Sequence, residues 1–184
     1  MNVGGLESIS TIRPSQDELY QDAVGKYGSS LERLANAYEA DPDKRRDLSQ
    51  DIHFQLWRSF RGYDARCSLR TWTYRVAHHV AASHVMRQRR IFSTLVSLEE
   101  LETLPDKDQP HLAAEQRINL GRLSILIQRL KPLDRQVIIS WLEDMDAASI
   151  GEITGLSPAN VAMRIHRIKN ILTRRFSQGG DYAG

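Results

Sequence analysis

Four histidines, His53, His78, His79 and His84, are the best material this chain offers for metal ligation or proton transfer. His78 and His79 are neighbours and would point to different faces of a helix. No HExxH, CxxC, nucleophile elbow or phosphate-binding loop accompanies them. The single cysteine, Cys67, can form no internal disulfide and offers no metal framework, which fits a reducing cytoplasm. No catalytic site, metal or cofactor is therefore expected. The cations are better placed to do chemistry. Residues 160–176 hold five Lys or Arg and no acid, and residues 68–90 hold five arginines, three histidines and no acid, although the net charge of the chain is only +2. Runs of this kind meet phosphates, and a ring among them, here Tyr74, can stack on an unpaired base.

The elements that carry these residues can be read from spacing. In residues 133–176 a short helical run, MDAASIGEI, is followed by a TGL turn and a longer helix, SPANVAMRIHRIKNIL. Ser157 has the chemistry of an N-cap, and Pro158 falls where a missing N–H costs nothing. Val161, Ile165, Ile168 and Leu172 form one apolar stripe at helical spacing. Ala159, Asn160, Ala162, Met163, His166, Arg167 and Lys169 are rotated away from it. A short helix, a glycine turn and a capped basic helix make the pattern of a helix-turn-helix whose second helix enters a major groove. An ordinary corner between two helices with a solvated basic face fits the same residues. Upstream, Asp134 is expected to cap a helix with Val137, Ile138, Trp141 and Leu142 on its apolar side.

Residues 68–90 read as a helix with Leu69, Trp72, Val76, Val80 and Ser83 on one side. Thr71, Tyr74, Arg75, His78, Ala82, Met86 and Arg89 occupy the other, which suits nucleic acid, a solvated face or a membrane-surface helix. Two helices precede it. One runs from Glu18 to Tyr38 and packs through Leu19, Ala23, Tyr27, Leu31, Leu34 and Tyr38; the other runs from about Lys44 to Phe60 and packs through Leu48, Ile52, Leu56 and Phe60. Asp41-Pro42-Asp43 separates them. Residues 93–115 carry six acids, one lysine and two prolines with no sustained period, and read as a linker. The expectation is an all-α chain of two small helical domains joined by a flexible acidic linker. Its parts are 1–16 a disordered tail, 17–92 the first domain, 93–114 the linker, 115–177 the helix-turn-helix domain and 178–184 a second tail. No apolar run approaches a membrane span, and MNVGGLESIS lacks the marks of a signal peptide, so the expected location is cytoplasmic.

The blocks DLSQDIHFQLWRSF, SLRTWTYRVAHHVAASHVMRQRR and LKPLDRQVIISWLEDMDAASIGEITGLSPANVAMRIHRIKNIL stand in an order and at spacings that resemble a known family. Over residues 20–176 the chain is similar to the extracytoplasmic-function sigma factors of bacterial RNA polymerase, which keep only regions two and four. The resemblance implies a factor that binds core polymerase and directs initiation, without catalysis of its own. Asp47, Gln50, Asp51 and Trp57 fall where the family docks on the clamp helices of the largest polymerase subunit. Arg70, Tyr74, Arg75, His78, His79, Ser83, Arg87, Arg89 and Arg90 fall in the segment that recognises and melts the −10 element. Ser157, Asn160, Met163, Arg164, His166 and Arg167 fall in the reader of the −35 element. Further implied partners are promoter DNA, the flap of the second-largest subunit and an anti-sigma factor, with no insertion into a membrane. The linker corresponds to the segment threaded through the polymerase cleft.

The chain departs from the family pattern at one informative place. Members commonly carry Arg-Asn, then an Asp four residues beyond, then an Arg pair; here these positions read His78-His79, Ser83 and Met86-Arg87. Ala162 also stands where a Lys or Arg is usual. A −10 preference unlike that of typical members is expected. A histidine facing phosphate, His78 or His84, would be protonated more readily, and melting would then strengthen from about pH 8 to about pH 6. The alternative to the whole reading is a free-standing dimeric helix-turn-helix regulator, which would grip duplex DNA without polymerase.

Overall fold

The structure, a computed structural model, describes residues 14–88, 98 and 123–177, and the description below is of those residues. Helix α1, Gln16–Tyr38, begins with a reciprocal cap: the Ser15 hydroxyl accepts from Glu18 N–H, and the Glu18 carboxylate accepts from Ser15 N–H. Helix α2, Pro42–Ser59, is capped by the Asp41 carboxylate, which accepts from the amides of Asp43 and Lys44, with Pro42 in the first turn. A 3-10 turn, Phe60–Gly62, leads toward α3, Leu69–Gln88. These three helices pack on one another through Ala23, Leu31, Leu34, Leu48, Ile52, Leu56, Tyr74, Ala77 and Ala81, all fully buried.

The C-terminal unit starts with the described part of α4, residues 123–129, and continues through α5, Pro132–Leu142, α6, Ala147–Thr154, and α7, Pro158–Ser177. Asp134 does not cap α5. The cap position is Lys131, with Pro132 next, and the Asp134 carboxylate instead accepts from Arg164 on α7. The turn between α6 and α7 is built on two glycines. Gly155 closes α6 at φ 76°, a region open to glycine, and its N–H donates to Gly151 O. Gly151 sits so close to the turn that a Cβ there would lie 2.6 Å from Leu156 O. The Ser157 hydroxyl then accepts from Asn160 N–H, as the sequence indicated.

The two units are not apart. The core is continuous, running from Leu31, Leu34 and Tyr74 in the first to Leu130, Ile138, Ile150 and Ile168 in the second, and α3 packs against both α5 and α6. Among the described residues no strand forms a sheet and no helix is long and apolar enough to cross a membrane. Of the segment expected to be a linker, only Leu98 is described; it is helical and buried. The rest of that segment and the tails at 1–13 and 178–184 lie outside the described residues.

Candidate nucleic-acid interface

Helix α3 presents two stripes of polar residues, and they face different ways. Arg75, His79, Ser83 and Arg87 recur every four residues, so they share one face. Together with Asp51, Gln55, Arg58 and Ser59 of α2 they line an open groove of about 790 Å³, floored by Val76 and Val80. His79 and Arg87 are exposed, and Arg87 lies 3.7 Å from the Asp51 carboxylate. The Arg75 Nε is buried and has no hydrogen-bond partner among the described residues. A groove with three arginines, one imidazole and two hydroxyls offers donors to phosphate and both donor and acceptor to a base edge.

Arg70, Tyr74 and His78 make the second stripe, and here the sequence expectation needs correction. Tyr74 is not an exposed stacking ring: its accessible surface is 0%, and that of His78 is 1%. Tyr74 meets the Tyr27 ring edge-on at 6.3 Å, and its hydroxyl donates to the Glu143 carboxylate at 3.2 Å. His78 Nδ1 is 3.0 Å from the Tyr38 hydroxyl and Nε2 is 3.0 Å from the Ser140 hydroxyl. Both hydroxyls can donate or accept, so either neutral tautomer is satisfied. Burial pushes the His78 imidazole down to about 3, and burial likewise pushes the Tyr74 phenol up. Enclosed in this way, the imidazole does not face phosphate in this structure. His84 does not face open solvent either, since its Nε2 is 2.9 Å from the Glu39 carboxylate. Arg70 donates to the Glu143 carbonyl and lies 5.9 Å from the centre of the Tyr74 ring. Arg89 and Arg90 lie outside the described residues.

On α2, Asp47, Gln50 and Asp51 are exposed along one face. One turn on, the same face carries Phe54, 56% exposed, a residue that the sequence reading passed over. The signal was present in its phase: Phe54 lies off the Leu48, Ile52, Leu56 stripe, and a large ring off the core stripe calls for a partner. Trp57 is half-buried, with its indole N–H donating to the Asp17 carboxylate at 2.7 Å and the Arg61 guanidinium 5.8 Å from its ring.

The second helix of the helix-turn-helix, α7, buries Val161, Ile168 and Ile171 and leaves Ser157, Asn160, Met163 and His166 exposed. Met163 is 63% exposed beside Ala159 and Ala162, so the leading end of α7 offers a shallow surface that fits a groove floor. Arg164 is half-buried and held by Asp134, so the carboxylate fixes the guanidinium against α5. Arg167 is half-buried too, and Lys169 lies 5.0 Å over the Trp141 ring. The exposed Asn160, Met163 and His166 and the cations Arg164 and Lys169, held by Asp134 and Trp141, thus sit on one capped helix.

Comparison with known proteins agrees with this arrangement. Residues 23–91 match the family described as Sigma-70 region 2, and residues 120–172 match Sigma-70, region 4. The chain is 25% identical to RNA polymerase sigma factor YlaC of Bacillus subtilis over 92% of this chain and 96% of that protein. It is 19% identical to ECF RNA polymerase sigma factor SigW of the same organism over 91% of this chain and 94% of the relative. A solved structure of CnrH in complex with the cytosolic domain of CnrY shares the fold, with a TM-score of 0.63 and 18% identity over 89% of this chain and 90% of the other.

Proposed function

This chain belongs to the extracytoplasmic-function group of sigma-70 factors, and from that premise we propose which of its residues carry promoter recognition. With core RNA polymerase it directs promoter-specific transcription initiation. The exposed α2 face of Asp47, Gln50, Asp51 and Phe54, continued by Trp57, docks on the clamp helices of the largest subunit. Acids around an apolar ring suit a basic surface with a hydrophobic recess. The groove of Arg75, His79, Ser83 and Arg87 takes the −10 strand. His79 replaces the amide of typical members with one donor and one acceptor in a different geometry, which alters the base it prefers. On α7, Asn160 and Met163 face base edges of the −35 element, while Arg167 meets phosphate.

The observation that supports this reading best is the segregation of exposed groups. Asp47, Gln50 and Phe54 on α2, the α3 groove that Asp51 borders, and the leading end of α7 are three open surfaces on one chain, the first two adjoining at Asp51, one for each partner surface that initiation requires. A flap contact has support in the exposed Leu142 beside a hollow lined by Trp141, Asp144 and Met145. An anti-sigma protein is a fitting further partner, since the CnrH fold is solved bound to the cytosolic domain of CnrY.

The test is reconstitution. The purified chain, added to core polymerase, should start transcripts at a narrow promoter set, and these starts should share one motif near −35 and one near −10. The free chain should bind the same duplexes weakly. Tight, cooperative binding of free dimers to an operator, with no starts in the presence of core polymerase, would refute the assignment.

A further inference from the structure

Helix α2 does not hold its docking side alone; the first two turns of α1 fasten it. The Trp57 indole N–H donates to the Asp17 carboxylate at 2.7 Å, and the Gln16 side-chain amide donates to the Trp57 carbonyl at 2.8 Å. Arg61 completes the tie. Its Nε–H donates to Gln16 Oε1 at 2.9 Å, while its guanidinium lies 5.8 Å from the Trp57 ring. One turn further along α1, the Tyr20 hydroxyl is 3.1 Å from His53 Nδ1, and the two rings meet edge to face at 6.1 Å. His53 is three residues from Gln50 and four from Trp57, so it shares their side of α2. The reciprocal cap of Ser15 and Glu18 locks the turn that carries Gln16 and Asp17. Both residues stand ahead of residue 23, where the match to Sigma-70 region 2 begins, and neither was among the docking residues expected from the sequence.

As a tie between two helices this contact adds little. Helices α1 and α2 already pack through the fully buried Ala23, Leu31, Leu34, Leu48, Ile52 and Leu56, whereas Asp17 is exposed and Trp57 half-buried. Its larger effect falls on the ring. Trp57 continues the face of Asp47, Gln50, Asp51 and the exposed Phe54, and aromatic anchors inside a charged rim carry much of the energy of a protein interface. A partner that covers an indole must leave its N–H paired, or an orphan donor is desolvated. Asp17 supplies that acceptor from within the chain, and it fixes the ring before any partner arrives, which spares the cost of ordering it on contact.

We propose that Asp17 is a positioning residue for polymerase docking: it holds the Trp57 indole, its N–H already paired, as a fixed aromatic anchor, so that the docking surface extends from α2 onto the first turn of α1. This rests on the proposal that the α2 face meets the clamp helices of the largest subunit, and it names what presents the anchor there. Asp17 acts through its acceptor oxygen rather than through its charge. An asparagine at this place offers the same Oδ1 to the indole, whereas attraction to a basic clamp would need the carboxylate.

The experiment titrates fluorescently labelled core polymerase with the full chain. Asp17→Ala should weaken binding roughly tenfold, the effect of covering an indole N–H that has no acceptor. Asp17→Asn should stay within roughly twofold of wild type, because the acceptor is kept. In a Trp57→Phe background, where no N–H needs a partner, Asp17→Ala should change the affinity by less than roughly twofold. Three results would overturn the proposal. Asp17→Asn as weak as Asp17→Ala would leave charge as the only contribution. An undiminished loss from Asp17→Ala in the Trp57→Phe background would detach Asp17 from the ring. Wild-type affinity of Asp17→Ala, with a lowered unfolding midpoint or without one, would make the contact a tie between α1 and α2 and nothing more. Failure of the docking reading shows differently: Trp57→Ala and Phe54→Ala would both bind core as wild type does, which removes the premise and the role of Asp17 with it.

Discussion

Lowering the pH from about 7 to about 5 should destabilise this protein through His78. In the unfolded chain this imidazole has an ordinary pKa of about 6.5. In the fold it is enclosed between Tyr38, Tyr74 and Ser140, and burial pushes it down to about 3. The folded pKa is depressed, so the unfolded state binds the proton first. The stability contributed by neutral His78 is present above about pH 6.5 and is lost as the pH falls toward 3. Each pH unit in that window costs about 1.4 kcal/mol, so about pH 5 the loss is about 2 kcal/mol, a large share of the stability of a small domain. Other carboxylates and histidines titrate nearby, so the measurement must be a difference. Urea unfolding of wild type and His78→Gln across this range should give curves that converge as the pH falls, because the variant lacks the titrating ring. Parallel curves would mean that the ring is hydrated or already charged, and the seat of α5 on α3 would be wrong with it.

Gly151→Ala should lower stability by about 1–3 kcal/mol, since its Cβ would meet Leu156 O at 2.6 Å, where the atom cannot step aside. Thermal unfolding reads this, and an unchanged midpoint would show that the turn yields to a Cβ without cost. Asp51→Lys should leave the fold intact, because its ion pair with Arg87 is more than half exposed on both sides and contributes little. Its affinity for core polymerase should nevertheless fall roughly tenfold or more, and wild-type affinity in a titration of labelled core would remove Asp51 from the docking face.

The residues that spoke most clearly in the sequence were those whose roles are local. Ser157 and Pro158 announced the start of α7 because a cap depends on the next three residues alone. Leu48, Ile52 and Leu56 announced the buried side of α2 because that helix packs on a single layer. Helix α3 misled because it is covered on two sides. A one-stripe reading left Tyr74 and His78 outward, whereas residues of α1 and the end of α5 cover them. Their covering partners, Ser140 and Glu143, lie 62 and 69 residues further along the chain, where no periodicity can point. Asp134 illustrates the same limit. Its place near a helix start suggested a cap, but a guanidinium thirty residues away, on Arg164, takes the carboxylate. Segregation of the cations into two runs was legible; which polar residues of α3 share an open face was not, because it depends on what packs against α3.

The central claim is that separate surfaces of one chain read separate promoter elements. The most direct measurement is transcription by reconstituted polymerase from a library randomised at both elements. The wild type is compared with His79→Asn plus Ser83→Asp and with Asn160→Ala. The account predicts that the first pair changes the selected bases only near −10, and that Asn160→Ala changes them only near −35, by roughly 1–3 kcal/mol at one position. If either variant shifts both elements together, or neither shifts any, the division of labour argued here is contradicted.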